Sequence, residues 1–132
     1  MKRRILEYEH PNGACPVTAF VGSLDAKTQE KIYRQLERLQ NMDCVLQPPL
    51  VKLFRTCRCK GLYELRIYAG QAVRLMFYMD SDGSVILLHG FAKKKEQITD
   101  KAFEIAGARR LALASGKARF RPLQNGLTEV KQ

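Results

Sequence analysis

Residues 61–79, GLYELRIYAGQAVRLMFYM, alternate side chains with period two on both sides of a short break, which restricts the chain to folds with an antiparallel hairpin near the middle. Along the first run Leu62, Glu64, Arg66 and Tyr68 share one face, and Tyr63, Leu65 and Ile67 share the other. Along the second run Val73, Leu75, Phe77 and Met79 form the apolar set, with Arg74, Met76 and Tyr78 opposite. With Ala69, Gly70 and Gln71 as the turn, Arg66 falls opposite Arg74 and Glu64 opposite Met76. The apolar sets point to a core, and the charged face is expected to be open. Beyond the tight-turn sequence Asp80-Ser81-Asp82-Gly83, Val85 to Ala92 is apolar on both faces, as in a central strand.

The flanks supply the helices. Residues 3–9 read as a short opening strand, closed by the turn signal His10-Pro11-Asn12-Gly13. Residues 17–22 fit one helical turn. From Asp25 the period changes: Ile32, Leu36 and Leu39 stand at helical spacing with Tyr33 beside them, and Lys27, Lys31, Arg34 and Arg38 lie off that stripe. Asp25 or Ser23 suits the N-cap, and Pro48-Pro49 ends any helix. A last helix is expected from about Asp100 to Ala114, with Phe103, Ala106, Arg110 and Leu113 along one side. The chain reads as one domain over residues 1–115, with 116–132, which has no clear period, as a flexible extension.

Charge is unevenly placed. The formal net charge is +10. Residues 1–50 hold 7 basic and 6 acidic residues, and residues 51–132 hold 16 and 7. A basic half beside a near-neutral half fits a polyanionic partner, a nucleic acid or an acidic protein. No apolar run approaches the ~20 residues of a membrane helix. The basic start is followed only by Ile5 and Leu6, so no signal peptide is expected and the cytoplasm is the expected location. Cys15, Cys44, Cys57 and Cys59 are expected to be free thiols, because one C-x-C with scattered companions departs from zinc-site spacing.

The hairpin carries the chemistry. Two guanidiniums opposite each other repel, and Glu64 neutralises only one of them. The remaining positive charge suits a phosphate, which a guanidinium grips through two parallel hydrogen bonds, while Lys93, Lys94 and Lys95 add point charges beside that face. The plain alternative is a solvated face on which Glu64 and Arg66 only form a surface ion pair. Lys52, Arg58 and Lys60, with Arg55, extend a phosphate track or form an ordinary basic loop. Tyr68 and Tyr78 either stack on bases or pack across the hairpin. His89, grouped by alternation with Val85, Leu87 and Phe91, reads as a core or hydrogen-bonded histidine before a catalytic one.

The run G-L-Y-E-L-R, then A-V-R-L-M-F-Y, then V-I-L-L-H-G-F-A-K-K resembles the RelE/HigB toxin superfamily of toxin-antitoxin pairs, in its phage-derived, HigB-like branch, over about residues 3–115. The resemblance implies an α+β, RelE/ParE-like fold: an N-terminal strand, two helices, a twisted, mainly antiparallel sheet and a C-terminal helix. It also implies a ribosome-dependent endoribonuclease that cuts messenger RNA by attack of a 2'-hydroxyl on the adjacent phosphate, with no metal or other cofactor. The implied partners are a cognate antitoxin, the ribosome and messenger RNA, and no membrane. By the same resemblance Arg74 stabilises charge on the transition state. Arg66 orients the phosphate, and Lys93 and Lys94 serve the leaving oxygen. At Glu64 the chain departs from RelE itself, which has a lysine there, and follows a related branch that uses a glutamate as general base. That branch also uses a C-terminal histidine as acid, which is missing here. A non-catalytic ParE-like toxin binding gyrase, and a degenerate regulator that only binds its antitoxin, are the alternatives.

Overall fold

The structure, a computed structural model, describes residues 3–41, 51–53, 61–93 and 100–123, apart from the side chain of Lys52. The described elements run β1 (Ile5–Glu9), α1 (Pro16–Gly22), α2 (Ala26–Asn41), β2 (Val51–Leu53), β3 (Tyr63–Tyr68), β4 (Ala72–Met79), β5 (Val85–Lys93), α3 (Asp100–Ala114) and β6 (Arg119–Pro122). The strands form one sheet in the order β2-β3-β4-β5-β1-β6. Among the described strands only β1 and β5 pair in parallel. This is the expected α+β arrangement of opening strand, two helices, mainly antiparallel sheet and C-terminal helix.

The hairpin register follows from the alternation. Arg66 pairs with Arg74 and Glu64 with Met76, around a turn in which the Ala69 amide donates to the Gln71 carbonyl and Gly70 takes φ 80. One sheet face carries Leu65, Ile67, Val73, Leu75, Phe77, Val85 and Leu87, buried against Val17 and Val21 of α1 and Ile32, Leu36 and Leu39 of α2. Asp25 caps α2, its carboxylate accepting from the Thr28 amide at 2.8 Å. α1 is held to β1 by Thr18, whose hydroxyl and amide donate to the buried Glu7 carboxylate. The close seat of α1 on β5 depends on Gly90, where an added Cβ would stand 2.6 Å from Phe20 Cδ2 and 2.9 Å from Leu75 Cδ2.

The opposite face is not open, as the alternation alone suggested. α3 lies across it, and Leu62, Met76 and Leu88 pack with Ala102 and Ala106 in a second buried cluster, with Phe103 and Leu113 alongside. Fully burying each of those larger side chains contributes roughly 1.5–3 kcal/mol, enough to hold a helix whose own sequence has little amphipathic bias.

The tail also differs from expectation. Gly116, at φ 76, ends α3 in a Schellman turn, with Lys117 N–H donating to Ala112 O and Gly116 N–H to Leu113 O. The chain then turns back as β6, antiparallel to β1, and Leu123 is buried in the main core. Residues 119–123 therefore belong to the folded unit and not to a flexible extension. Residues 124–132 lie outside the described residues.

Candidate nucleic-acid interface

Pairing across β3, β4 and β5 sets the charged face in three rows: Tyr68, Ala72, Lys93; then Arg66, Arg74, Phe91; then Glu64, Met76, His89. Lys52 of β2 stands in register with Glu64. The third row depends on a β-bulge. Met76 pairs with His89 but Phe77 pairs with Leu87, leaving Leu88 as an extra residue. The bulge moves His89 out of phase with Val85 and Leu87 and onto the face of Met76 and Phe91. Strict alternation therefore gave His89 the wrong neighbours on two of three counts.

Burial grades across the rows. Glu64 is 1% exposed and Arg74 4%, whereas the Arg66 side chain is 25% exposed and Tyr68 57%. Glu64 Oε1 sits between the guanidiniums, accepting from Arg66 Nε at 3.1 Å and facing Arg74 Nε at 3.6 Å, an ion pair too long for a good hydrogen bond. Arg74 Nη1 donates to Val73 O at 3.3 Å and Nη2 to Tyr68 Oη at 3.2 Å, with the Tyr68 ring 5.1 Å from the guanidinium carbon. Glu64 Oε2 and Arg74 Nε are both buried without a hydrogen-bond partner. The anticipated Arg66–Arg74 pair is thus present, but its members differ. Arg74 is an interior group, with one hydrogen bond made by each terminal nitrogen. Arg66 donates to Glu64 and keeps a quarter of its side chain exposed.

His89 lies between this cluster and α3. Its ring stacks on Phe91 at 5.4 Å between centroids. Arg109 Nη1 donates to Leu88 O at 2.9 Å and approaches His89 Nδ1 at 3.5 Å. Burial, aided by the Arg109 charge, pushes the imidazole down to about 4, so it is neutral at pH 7. Sequence reading missed Arg109. Its signal was position: with Ala102, Ala106 and Leu113 it falls at i, i+4, i+7 and i+11, so a cation stands on the buried stripe of α3.

Among the proposed site residues, Glu64, Arg66, Tyr68, Arg74 and Lys93 come together on this face. Arg58, Lys60, Lys94 and Lys95, and the side chain of Lys52, lie outside what the structure describes. Tyr78, also assigned to this face, is half-buried beneath Arg110, whose guanidinium lies 4.9 Å from its ring centroid. Cys15 is a free thiol, and Cys44, Cys57 and Cys59 lie outside the described residues. Among the described residues no three His, Cys, Asp or Glu side chains gather as a metal site, and no helix is long and apolar enough to cross a membrane.

A family model for phage-derived Gp49-like proteins (DUF891) matches residues 19–111. The chain belongs to that family. The matched stretch takes in all three rows of the face and most of α3, and leaves out β1 and β6. The Gp49-like region is therefore the part of the fold that carries the charged site, and the two strands beyond it complete the sheet at the far edge. No curated protein matches the chain.

Proposed function

We propose that this Gp49-like protein is a toxin of the RelE/HigB kind, an endoribonuclease that cuts messenger RNA on the ribosome and is held in check by a cognate antitoxin. The observation that carries the reading is the cross-strand pair of Arg66 and Arg74, served among the described residues by a single carboxylate. That arrangement leaves one positive charge in excess, its exposed part at Arg66, with Tyr68 and Lys93 along the neighbouring row. An RNA phosphate fits there, gripped by Arg66, with a base against the Tyr68 ring. In the reaction a ribose 2'-hydroxyl attacks the adjacent phosphorus, the bond to the 5'-oxygen breaks, and that oxygen leaves with a proton, giving a 2',3'-cyclic phosphate. Because Arg74 is 4% exposed and the Arg66 side chain 25%, we assign Arg74 the positioning of Arg66 and give Arg66 the contact with phosphate.

The test is to map messenger RNA 5' ends after induction of the wild type, Arg66→Ala and Arg74→Ala. Cuts within translated codons that vanish in Arg66→Ala are expected, with Arg74→Ala impaired as well. Unchanged cutting by Arg66→Ala removes the site. A second reading, a ParE-like toxin that binds its target without cleaving RNA, draws on one observation: Glu64, the only carboxylate of the cluster among the described residues, is almost fully buried and so poorly placed to take a proton from RNA. Under that reading no new 5' ends appear and DNA replication halts before translation.

A further inference from the structure

Two orphaned atoms in the ion cluster point to a switch. Glu64 Oε2 lacks a donor and Arg74 Nε lacks an acceptor, both are buried, and they belong to residues already paired at 3.6 Å. Buried polar atoms without partners are costly, and each of these is what the other requires. Of the two guanidiniums Arg66 is the nearer to the carboxylate, its Nε 3.1 Å from Glu64 Oε1 against 3.6 Å for Arg74 Nε. A small shift of the carboxylate toward Arg74 would make a closed, two-bond pair of the sort carboxylates and guanidiniums prefer. That shift releases Arg66.

We infer that Glu64 is a shared internal anion, and that an external phosphate group taken up by Arg66 displaces it onto Arg74. The inference rests on the reading that this face holds phosphate. It adds that binding and the interior pair are coupled: the anion occupies Arg66, Glu64 closes on Arg74, and the excess positive charge of the free cluster is matched by the ligand. The coupling gives Arg74 a role without contact to the ligand. By drawing Glu64 inward, it determines how much of Arg66 is available.

The coupling predicts opposite effects from two residues that the ligand never touches. Inorganic phosphate is titrated at constant ionic strength while arginine Nε–H resonances are followed by NMR. In the wild type, the Arg74 Nε–H gains protection from exchange as phosphate binds, and the Arg66 resonance moves with the same midpoint. Glu64→Gln, which weakens the internal competitor, tightens phosphate by about tenfold. Arg74→Met, which leaves Glu64 to Arg66 alone, weakens it by a similar factor, and the double variant returns toward the wild type. If Arg74 instead contacts phosphate directly, the double variant stays as weak as Arg74→Met, which overturns the inference, as does tighter or unchanged binding in Arg74→Met. Should Arg74→Met fail to fold, the wild-type protection of Arg74 Nε–H decides alone, and its absence at saturating phosphate overturns the inference. RNA cleavage is read separately: coupling without cleavage removes the nuclease reading only, and cleavage without coupling removes the switch only.

Discussion

Removing the Thr18 hydroxyl should destabilise the protein by an amount that depends on pH. Glu7 is fully buried on β1, and its carboxylate accepts from Thr18 Oγ at 2.7 and 2.6 Å and from Thr18 N at 3.2 Å. Burial nevertheless dominates and pushes Glu7 above its ordinary value of 4.5, against the hydrogen bonds from Thr18 and the charge of Arg121. The folded chain therefore keeps the Glu7 proton to higher pH than the unfolded chain does. Stability from the protonated form is fully present below 4.5 and is lost as pH rises through the raised value. In Thr18→Val the shape is kept and the hydroxyl lost. With Glu7 ionised the missing bond is charge-assisted and the cost is about 2–3 kcal/mol; with Glu7 protonated it falls to about 1 kcal/mol. Glu7→Gln keeps an acceptor for the Thr18 amide and removes the charge, so it should match the wild type at about pH 4 and exceed it at about pH 8. Urea unfolding of the three proteins across this range measures both effects, and differences from the wild type cancel the other carboxylates. A Thr18→Val cost that does not change with pH, or a Glu7→Gln protein less stable than the wild type at the alkaline end, refutes the claim that burial sets the Glu7 proton affinity.

Two further outcomes test the parts of the fold that differ from expectation. Leu123→Ala should cost about 2–5 kcal/mol in chemical unfolding, because this side chain, 4% exposed, packs in the main core beyond β6; a cost near zero would mean that the segment after α3 adds nothing to the fold. Arg109→Met should raise the His89 pKa from about 4, though not to 6.5, since burial is the larger cause and the cation the smaller. An NMR titration of the imidazole measures it, and an unmoved value means that the 3.5 Å approach of Arg109 has no electrostatic effect.

The hairpin was readable from sequence because two independent signals coincide there, period-two alternation in both runs and a three-residue break of the right length. Together they fix the register to the residue, and with it the Arg66–Arg74 pair. The position of α3 was not readable. The side through Phe103, Ala106 and Leu113 does pack, with Ala102 and Arg109 beside it, but the apolar residues of α3 lie on all sides and nothing in them says which face of the sheet the helix covers. Without that helix the charged face of the sheet looks exposed, and so do Glu64 and Arg74. The bulge was hidden for a different reason. In Val85-Ile86-Leu87-Leu88 every residue is apolar, so one extra residue leaves no change of phase to detect, and the shift appears only where His89 arrives on the other face. β6 was hidden by its composition: Arg-Phe-Arg-Pro has little strand signal, and its proline is tolerated because the strand lies at the sheet edge.

The burial that sequence reading could not see changes what the ion cluster is for. An exposed Arg66–Glu64 pair would contribute a few tenths of a kcal/mol and would need no further reason to exist. A carboxylate 1% exposed beside an arginine 4% exposed is different, because taking such charges out of water costs several kcal/mol per ion, and apolar residues of similar size commonly do as well or better for stability. Here apolar replacements are within reach: the same face already buries Met76 and Leu88 under α3 one position away. The cluster is moreover imperfect, with one acceptor and one donor unmatched. A device that served stability alone would be expected to close that gap. The gap stays open because Arg66, at the solvent edge, competes for the same oxygen, and that competition ties an interior pair to whatever anion the outer arginine meets.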